Sequence, residues 1–335
     1  MPVILYRYDG SPFGTKVETM LAVKRIPAAH VNVAPLLPRP EISDLLGLGY
    51  RRIPVLAIGR DLYCDTSLIA SVLERRFPSG QDYGTLFPKR RDGSTADTGL
   101  VKALAQFYAD SALFPTAVPF VPWDQVPKAF LADRSKMTGA PIDPAMMKAV
   151  RGRSLSTMAA HMTLLEEQLA DGRQWLLETT TPGLADLSVF FVLNWARSLP
   201  GTSTLFADKG KFARTIEWLG NVQEHIRGLQ AALPDTEQIS GEEAARRIAS
   251  GTVERETPTF DQAAAELLGV KRGDSVAVVP EDNSRDFPTT GLLVGLNDEE
   301  VVLQIKGKAG TFLCHFPRLR YAVVARRRKG TDSKL

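Results

Sequence analysis

Apolar and polar positions recur along this chain with two periods, and the changes between them divide it into three stretches. Val3 to Tyr8 is rich in β-branched, apolar and aromatic residues and stops at Asp9-Gly10, the profile of a strand running into a turn. Ser11-Pro12 then reads as a helix start, with serine as N-cap and proline at the first helical position. Phe13, Val17, Met20 and Leu21 follow at the spacing of one buried helix face. Val31 to Val33 predicts a second strand, Arg39 to Leu48 a short helix, and Ile53 to Ile58 a third strand carrying Pro54. Gly59-Arg60-Asp61 makes a turn, Leu62 to Cys64 a fourth strand, and Thr66 to Arg76 a helix with Ile69, Val72 and Leu73 inward. The order β-α-β-α-β-β-α describes a small α/β domain over residues 1–80.

Residues 77–95 are rich in Pro, Gly, Asp and Ser and read as a linker. The pattern is then helical over residues 95–234. Leu155, Met158, Met162, Leu165 and Leu169 form one seam at helical spacing, and Ile216, Leu219, Ile226 and Leu229 form another. Leu184 to Trp195 is apolar almost all round, which marks a helix inside a bundle. Beyond Pro234 the period changes again. Gly241 to Ser250 and Phe260 to Leu268 predict short helices. Ser275 to Val279, Gly291 to Leu296, Val301 to Ile305, Thr311 to Phe316 and Tyr321 to Ala325 predict five short strands. Residues 235–326 therefore read as a compact appended domain, a five-stranded sheet or small barrel, and residues 327–335 as a disordered tail.

Composition narrows the function classes. The chain has 335 residues, 44% hydrophobic and 24% charged, with a net charge of +3, which suits an ordinary soluble protein and gives no reason to expect nucleic acid. The N-terminus lacks the basic head and cleavage site of a signal peptide, and no apolar run approaches the ~20 residues of a membrane span. With only Cys64 and Cys314 there is no disulfide framework, and four isolated histidines give no zinc spacing, so no metal is expected.

Three local features carry chemistry. In SPFGTKV, Ser11 places a hydroxyl at the positive end of a helix, where it either caps the helix or lowers the pKa of a thiol brought to it. In RRIPVL, Pro54 stands before an apolar strand; it is either an ordinary trans proline or a cis one that turns the Ile53 backbone toward an extended peptide ligand. In CDTSLIASVLE, Asp65 and Thr66 sit where a strand feeds a helix. There they cap the helix, or offer a carboxylate to an ammonium group and a hydroxyl with a backbone N–H to a carboxylate.

In this order the three segments resemble the glutathione transferases, in particular the tau-like and omega-like classes, whose patterns S/C-P-F-x-x-[RK]-V, K-I-P-V-L and C-E-S-x-x-I correspond to SPFGTKV, RIPVL and CDTSLI. The resemblance implies a thioredoxin-like α/β domain followed by the all-α glutathione transferase domain, with the small β-rich region after them. It implies glutathione as cosubstrate, with Ser11 stabilising the thiolate and the Ile53-Pro54 backbone pairing with the cysteinyl unit. By the same resemblance, Asp65 and Thr66 hold the γ-glutamyl end, and Arg52, helped by Arg39, stands near the glycyl carboxylate. Asp65 is one methylene shorter than the usual Glu, and Thr66 replaces Ser. Serine rather than cysteine at position 11 favours conjugation or isomerisation over thiol-disulfide exchange. Tyr6 and Tyr8 are alternative sources of the hydroxyl.

GRQWLLETTTPGLADLSVF (Gly172 to Phe190) looks like the family's G-R-x-[FW]-L-x…P-[ST]-x-A-D motif, with Gly183 at the usual cap position and Asp186 taking over the capping. The long form looks most like fungal glutathione transferase-like proteins. Tyr108, Phe114, Phe120 and Trp123, with Phe13, are the expected lining for a small-molecule electrophile, and a homodimer is expected. A glutathione-dependent cis-trans isomerase and a non-catalytic binding protein on the same fold are the alternatives. The terminal Ser333-Lys334-Leu335 matches the peroxisomal import signal, which points to the import receptor as a partner and the peroxisome as the address; otherwise a cytoplasmic location is expected.

Overall fold

The computed structural model describes residues 1–326, so the tail and its terminal tripeptide lie outside the described residues. The first eighty residues form β1 (Val3–Arg7), α1 (Pro12–Lys24), β2 (Ala29–Asn32), α2 (Pro40–Ser43), β3 (Val55–Ile58), β4 (Asp61–Cys64) and α3 (Thr66–Arg76). β1 pairs parallel with β2 and antiparallel with β3, which pairs antiparallel with β4. This is the thioredoxin-like arrangement expected of the sequence.

A long interrupted helix opens the second part: α4 (Thr98–Ala103), a π-helical stretch Leu104–Leu113, α5 (Phe114–Ala117) and a 3₁₀ turn Val118–Phe120. It is followed by α6 (Lys128–Thr138), α7 (Pro144–Ala149), α8 (Arg151–Gln168), α9 (Leu184–Arg197), α10 (Ser203–Ala207) and α11 (Ala213–Ala231). α9 is buried on every side from Leu184 to Leu193. Its start is fixed as the sequence suggested: Asp186 accepts hydrogen bonds from the Gly183 and Leu176 amides and from the Trp218 indole, at 2.9–3.1 Å. Burial pushes the Asp186 carboxyl up, and these three donors oppose the rise. Among the described residues no helix is long and apolar enough to cross a membrane.

The last part contains α12 (Gly241–Ala249), α13 (Gln262–Leu267) and five strands, β5 (Ser275–Pro280), β6 (Thr289–Leu296), β7 (Glu300–Gly307), β8 (Gly310–Pro317) and β9 (Tyr321–Ala325). The strands expected of the sequence are all present, but they do not form a sheet of their own. β8 pairs parallel with β4, in the register Asp61 to Leu313, Leu62 to Cys314 and Tyr63 to His315. The result is one nine-stranded sheet, β2-β1-β3-β4-β8-β7-β6-β5-β9. The physical reason is that β4 is the edge of the four-stranded unit, and an edge exposes unpaired N–H and C=O groups until another strand covers it. The opposite edge is partly covered too: His30 on β2 exchanges backbone bonds with Glu237 and Ile239.

Strand alternation sorts side chains to two cores. Val3, Leu5, Leu56, Ile58 and Tyr63 face α1, α3 and the helical part. Ile4, Tyr6, Val55, Ala57, Leu62 and Cys64 share the other core with Ala244, Ile248, Val276, Val301, Phe316 and Tyr321 from the last hundred residues. The contact is close enough to require glycine. Gly47, at φ +72°, lies against β7, where an added Cβ would sit 2.2 Å from the Lys306 carbonyl oxygen.

Candidate functional site

Ser11 is the N-cap of α1, its Oγ accepting the Gly14 amide at 3.1 Å. The residue is only 2% exposed, and among the described residues nothing accepts its hydroxyl hydrogen, which is left to donate. The α1 N-terminus adds a partial positive charge at the same point. Of the alternative hydroxyls, Tyr6 faces the second core, on the side of the sheet away from α1, and burial pushes its phenol pKa up. Tyr8 stays near Ser11, whose amide donates to the Tyr8 carbonyl, and its hydroxyl accepts from Arg134 on α6 at 3.3 Å.

The Ile53-Pro54 bond is cis, as is Leu37-Pro38. The β1–β3 and β3–β4 ladders begin at Val55, so the peptide groups of Ile53 are not committed to either neighbouring strand. Asp65 has φ +76°, a left-handed conformation unusual for an aspartate, and its carboxylate accepts from the Ser67 amide at 2.9 Å and the Ser67 hydroxyl at 2.7 Å. A further donor reaches it from the last strand: the Tyr321 hydroxyl, at 2.9 Å. Thr66 is buried and donates to Asp110 of the π-helical stretch at 3.4 Å; Asp110 in turn takes Lys16, the basic residue of SPFGTKV, at 2.7 and 2.9 Å. Burial raises the Asp110 carboxyl pKa against the pull of Lys16.

The two arginines fare differently. Arg39 is 4% exposed, and its guanidinium donates to the backbone carbonyls of Ala34, Pro35 and Arg51. Burial lowers its pKa to about 10, so it remains a cation, and its hydrogen bonds hold the loop around cis-Pro38. Arg52 is half-buried and reaches into the C-terminal part, pairing with Asp282 and donating to the Asn283 carbonyl at 2.7 Å.

A cavity of about 690 Å³ opens beside Ser11, walled by Gly10 and Pro12 on one side and Phe191, Trp195, Arg197 and Phe206 on the other. Of the aromatic residues proposed from the sequence, two back this wall. The Phe13 ring lies 4.8 Å from Phe114 and 5.1 Å from Phe191, and Phe114 stacks on Trp195 at 5.1 Å. Tyr108 pairs with His161 at 3.2 Å. Phe120 and Trp123 are core residues, the Trp123 indole N–H donating to the Val118 carbonyl at 3.0 Å. None of the five is a lining residue of this cavity, because aromatic content by itself does not distinguish a wall from a core. The lining of this cavity includes Asn194 and Arg197, polar residues of α9 beyond its fully buried stretch Leu184–Leu193, where the helix meets solvent. The site's contributions from Asp110, Asp282, Arg320 and Tyr321 had no sequence signal, since they arrive from distant segments.

Among the described residues no cluster of His, Cys, Asp or Glu could hold a metal ion. The family described as "Glutathione S-transferase, N-terminal domain" matches residues 5–81, and a domain of unknown function matches residues 109–231. Among solved structures, a GST-like protein from Pseudomonas syringae is 26% identical, covering 97% of this chain and 99% of its own with a TM-score of 0.71. Rice GST1 in complex with glutathione is 19% identical over 73% of this chain and 95% of its own, with a TM-score of 0.48. A beta-etherase from Sphingobium is 16% identical over 69% of this chain and 100% of its own, also at 0.48. A comparison with curated proteins finds no match.

Proposed function

From the premise that this chain belongs to the glutathione transferase superfamily, we propose that it binds glutathione, activates its thiol through Ser11, and adds the sulfur to an electrophilic small molecule held in the neighbouring cavity. The observation that carries this reading is Ser11 itself: a buried N-cap hydroxyl at a helix N-terminus, with no acceptor for its hydrogen among the described residues, flanked in the chain by Gly10 and Pro12, which line a 690 Å³ cavity with aromatic walls. Donation from that hydroxyl and the helix dipole favour the thiolate over the thiol. The thiol proton leaves to solvent, a carbon–sulfur bond forms, and the electrophile's displaced electron pair leaves with a departing group or takes up a proton. Cis-Pro54 and the uncommitted Ile53 peptide suit the cysteinyl backbone, Arg52 the glycyl carboxylate, and Asp65 with Thr66 the γ-glutamyl end. Isothermal titration with glutathione, followed by a conjugation assay on a panel of electrophiles, tests the reading. Turnover without consumption of glutathione would point to the isomerase instead.

One observation favours a second reading, a binding protein without chemistry: Asp282 already pairs with Arg52, and Tyr321 already bonds Asp65. Absence of glutathione binding in the titration would select it.

Asp65→Ala is expected to weaken glutathione binding by about 10- to 100-fold, the size of a lost hydrogen bond to a charged group. The same change removes the α3 cap, for which about 1 kcal/mol of stability is the expected loss. Titration of a folded variant with wild-type affinity would remove Asp65 from the site.

A further inference from the structure

The charges around the first turn of α3 do not balance locally, and the imbalance has a shape. Lys16 and Asp110 neutralise each other at 2.7 Å. Asp65 carries a negative charge whose partners, the Ser67 amide and hydroxyl and the Tyr321 hydroxyl, are all neutral. Asp282, on the loop after β5, is shared by two guanidiniums, Arg52 and Arg320, the latter at 3.0 Å. Two cations on one carboxylate leave one positive charge without a counterpart. The site therefore holds one surplus negative charge and one surplus positive charge.

Arg320 is placed there deliberately by the backbone. It sits in the short connection between β8 and β9 at φ +68°, a conformation that costs a non-glycine residue energy and tends to persist at functional sites. Its side chain crosses to the π-helical stretch, where it donates to the Ser111 hydroxyl and to the Gln106 carbonyl at 3.4 Å, beside Asp110 and its partner Thr66. The next residue, Tyr321, is the one that bonds Asp65. The Arg320 side chain remains about a quarter exposed, at 27%.

A surplus anion and a surplus cation at one helix start match a zwitterionic α-amino acid head group. We infer that Arg320, supplied by the C-terminal strands, is a specificity-determining residue of the glutathione site, pairing with the α-carboxylate of the γ-glutamyl unit while Asp65 takes its ammonium. The inference rests on the glutathione reading above and assigns the last hundred residues a part in ligand recognition.

The test is calorimetric titration of the full chain with glutathione and with γ-aminobutyryl-cysteinyl-glycine, which lacks only that carboxylate. Wild type is expected to bind the analogue about 10- to 100-fold more weakly. Arg320→Ala is expected to lose the same factor for glutathione and nothing for the analogue, and Arg320→Lys to recover part of it. If Arg320→Ala binds glutathione like wild type, or weakens both ligands equally, the assignment is wrong while glutathione binding stands. A wild-type protein that binds neither ligand overturns the glutathione reading and this inference with it.

Discussion

Ser11→Ala is expected to slow turnover by about 10²-fold with little change in glutathione affinity. The hydroxyl hydrogen has no acceptor among the described residues, so its contribution goes to a sulfur that becomes an anion along the reaction path. Removing one positioned donor from a developing anion costs about 2.7–4 kcal/mol in the best-studied oxyanion sites. Glutathione's remaining contacts, at Ile53, Asp65 and Arg52, are untouched by the change. The lost cap on α1 costs about 1 kcal/mol of folding stability, too small to unfold a domain. Two readouts separate the roles: kcat should fall, and the pH at which bound glutathione ionises should rise. A variant with the wild-type rate would move the function to Tyr8 or to a backbone amide.

The second large effect concerns the joint between β4 and β8. His315 is buried and lies between two carboxylates, Glu300 at 2.9 Å from Nδ1 and Asp61 at 3.1 Å from Nε2. Burial opposes its charge, but the two hydrogen bonds and the carboxylate charges outweigh it and raise its pKa to about 9. Around this triad Arg76 reaches Asp61 and Tyr63, and Arg75 bridges Glu254, Glu299 and Glu300. Burial opposes the Glu254 charge too, but Arg75, Tyr63 and Arg76 hold its pKa down at about 2. His315→Leu leaves two buried carboxylates facing each other, and a loss of about 3–5 kcal/mol is expected, as when one partner of a buried ion pair is removed.

The pH dependence has a definite sign. A histidine whose folded pKa lies above its unfolded value of about 6.5 contributes most below that value and loses its contribution as pH rises toward 9. Urea denaturation should therefore show stability falling by on the order of 3 kcal/mol between pH 6 and pH 9.5. His315→Gln should flatten that slope. The Glu254 carboxylate acts at the other end: its contribution is present above about pH 4.5 and is lost as pH falls toward 2. A flat wild-type profile between about pH 7.5 and 9.5 would mean that His315 is neutral in the folded protein.

Much of this molecule was legible in its sequence because the relevant signals are local. Ser11-Pro12, the strand carrying Pro54, and the strand-to-helix step at Asp65 each announce their role within a few residues, and the structure places a cap, a cis bond and a left-handed aspartate at those positions. The five C-terminal strands were legible singly, from alternation and turn residues. Their attachment was not, because period 2 says which face a side chain takes and nothing about which edge a strand joins. Arg39 illustrates a different limit. An arginine beside a ligand and one capping three carbonyls look identical in sequence, and only the loop geometry around cis-Pro38 distinguishes them. The lining of the cavity was not legible for a related reason: it comes from the far end of α9, not from the aromatic residues after the linker.

The parallel pairing of β4 with β8 also sets a schedule. Cys64 ends β4 and Cys314 lies on β8, their sulfurs 3.9 Å apart in the second core although 250 residues separate them in the chain. A ribosome adding about 5–20 residues per second delivers β8 roughly 10 to 50 seconds after β4. Through that interval the α/β unit has its own strands in place but an open edge and half of one core facing water. A nascent chain in this state offers what molecular chaperones bind, and a chain interrupted near residue 234 would never leave it.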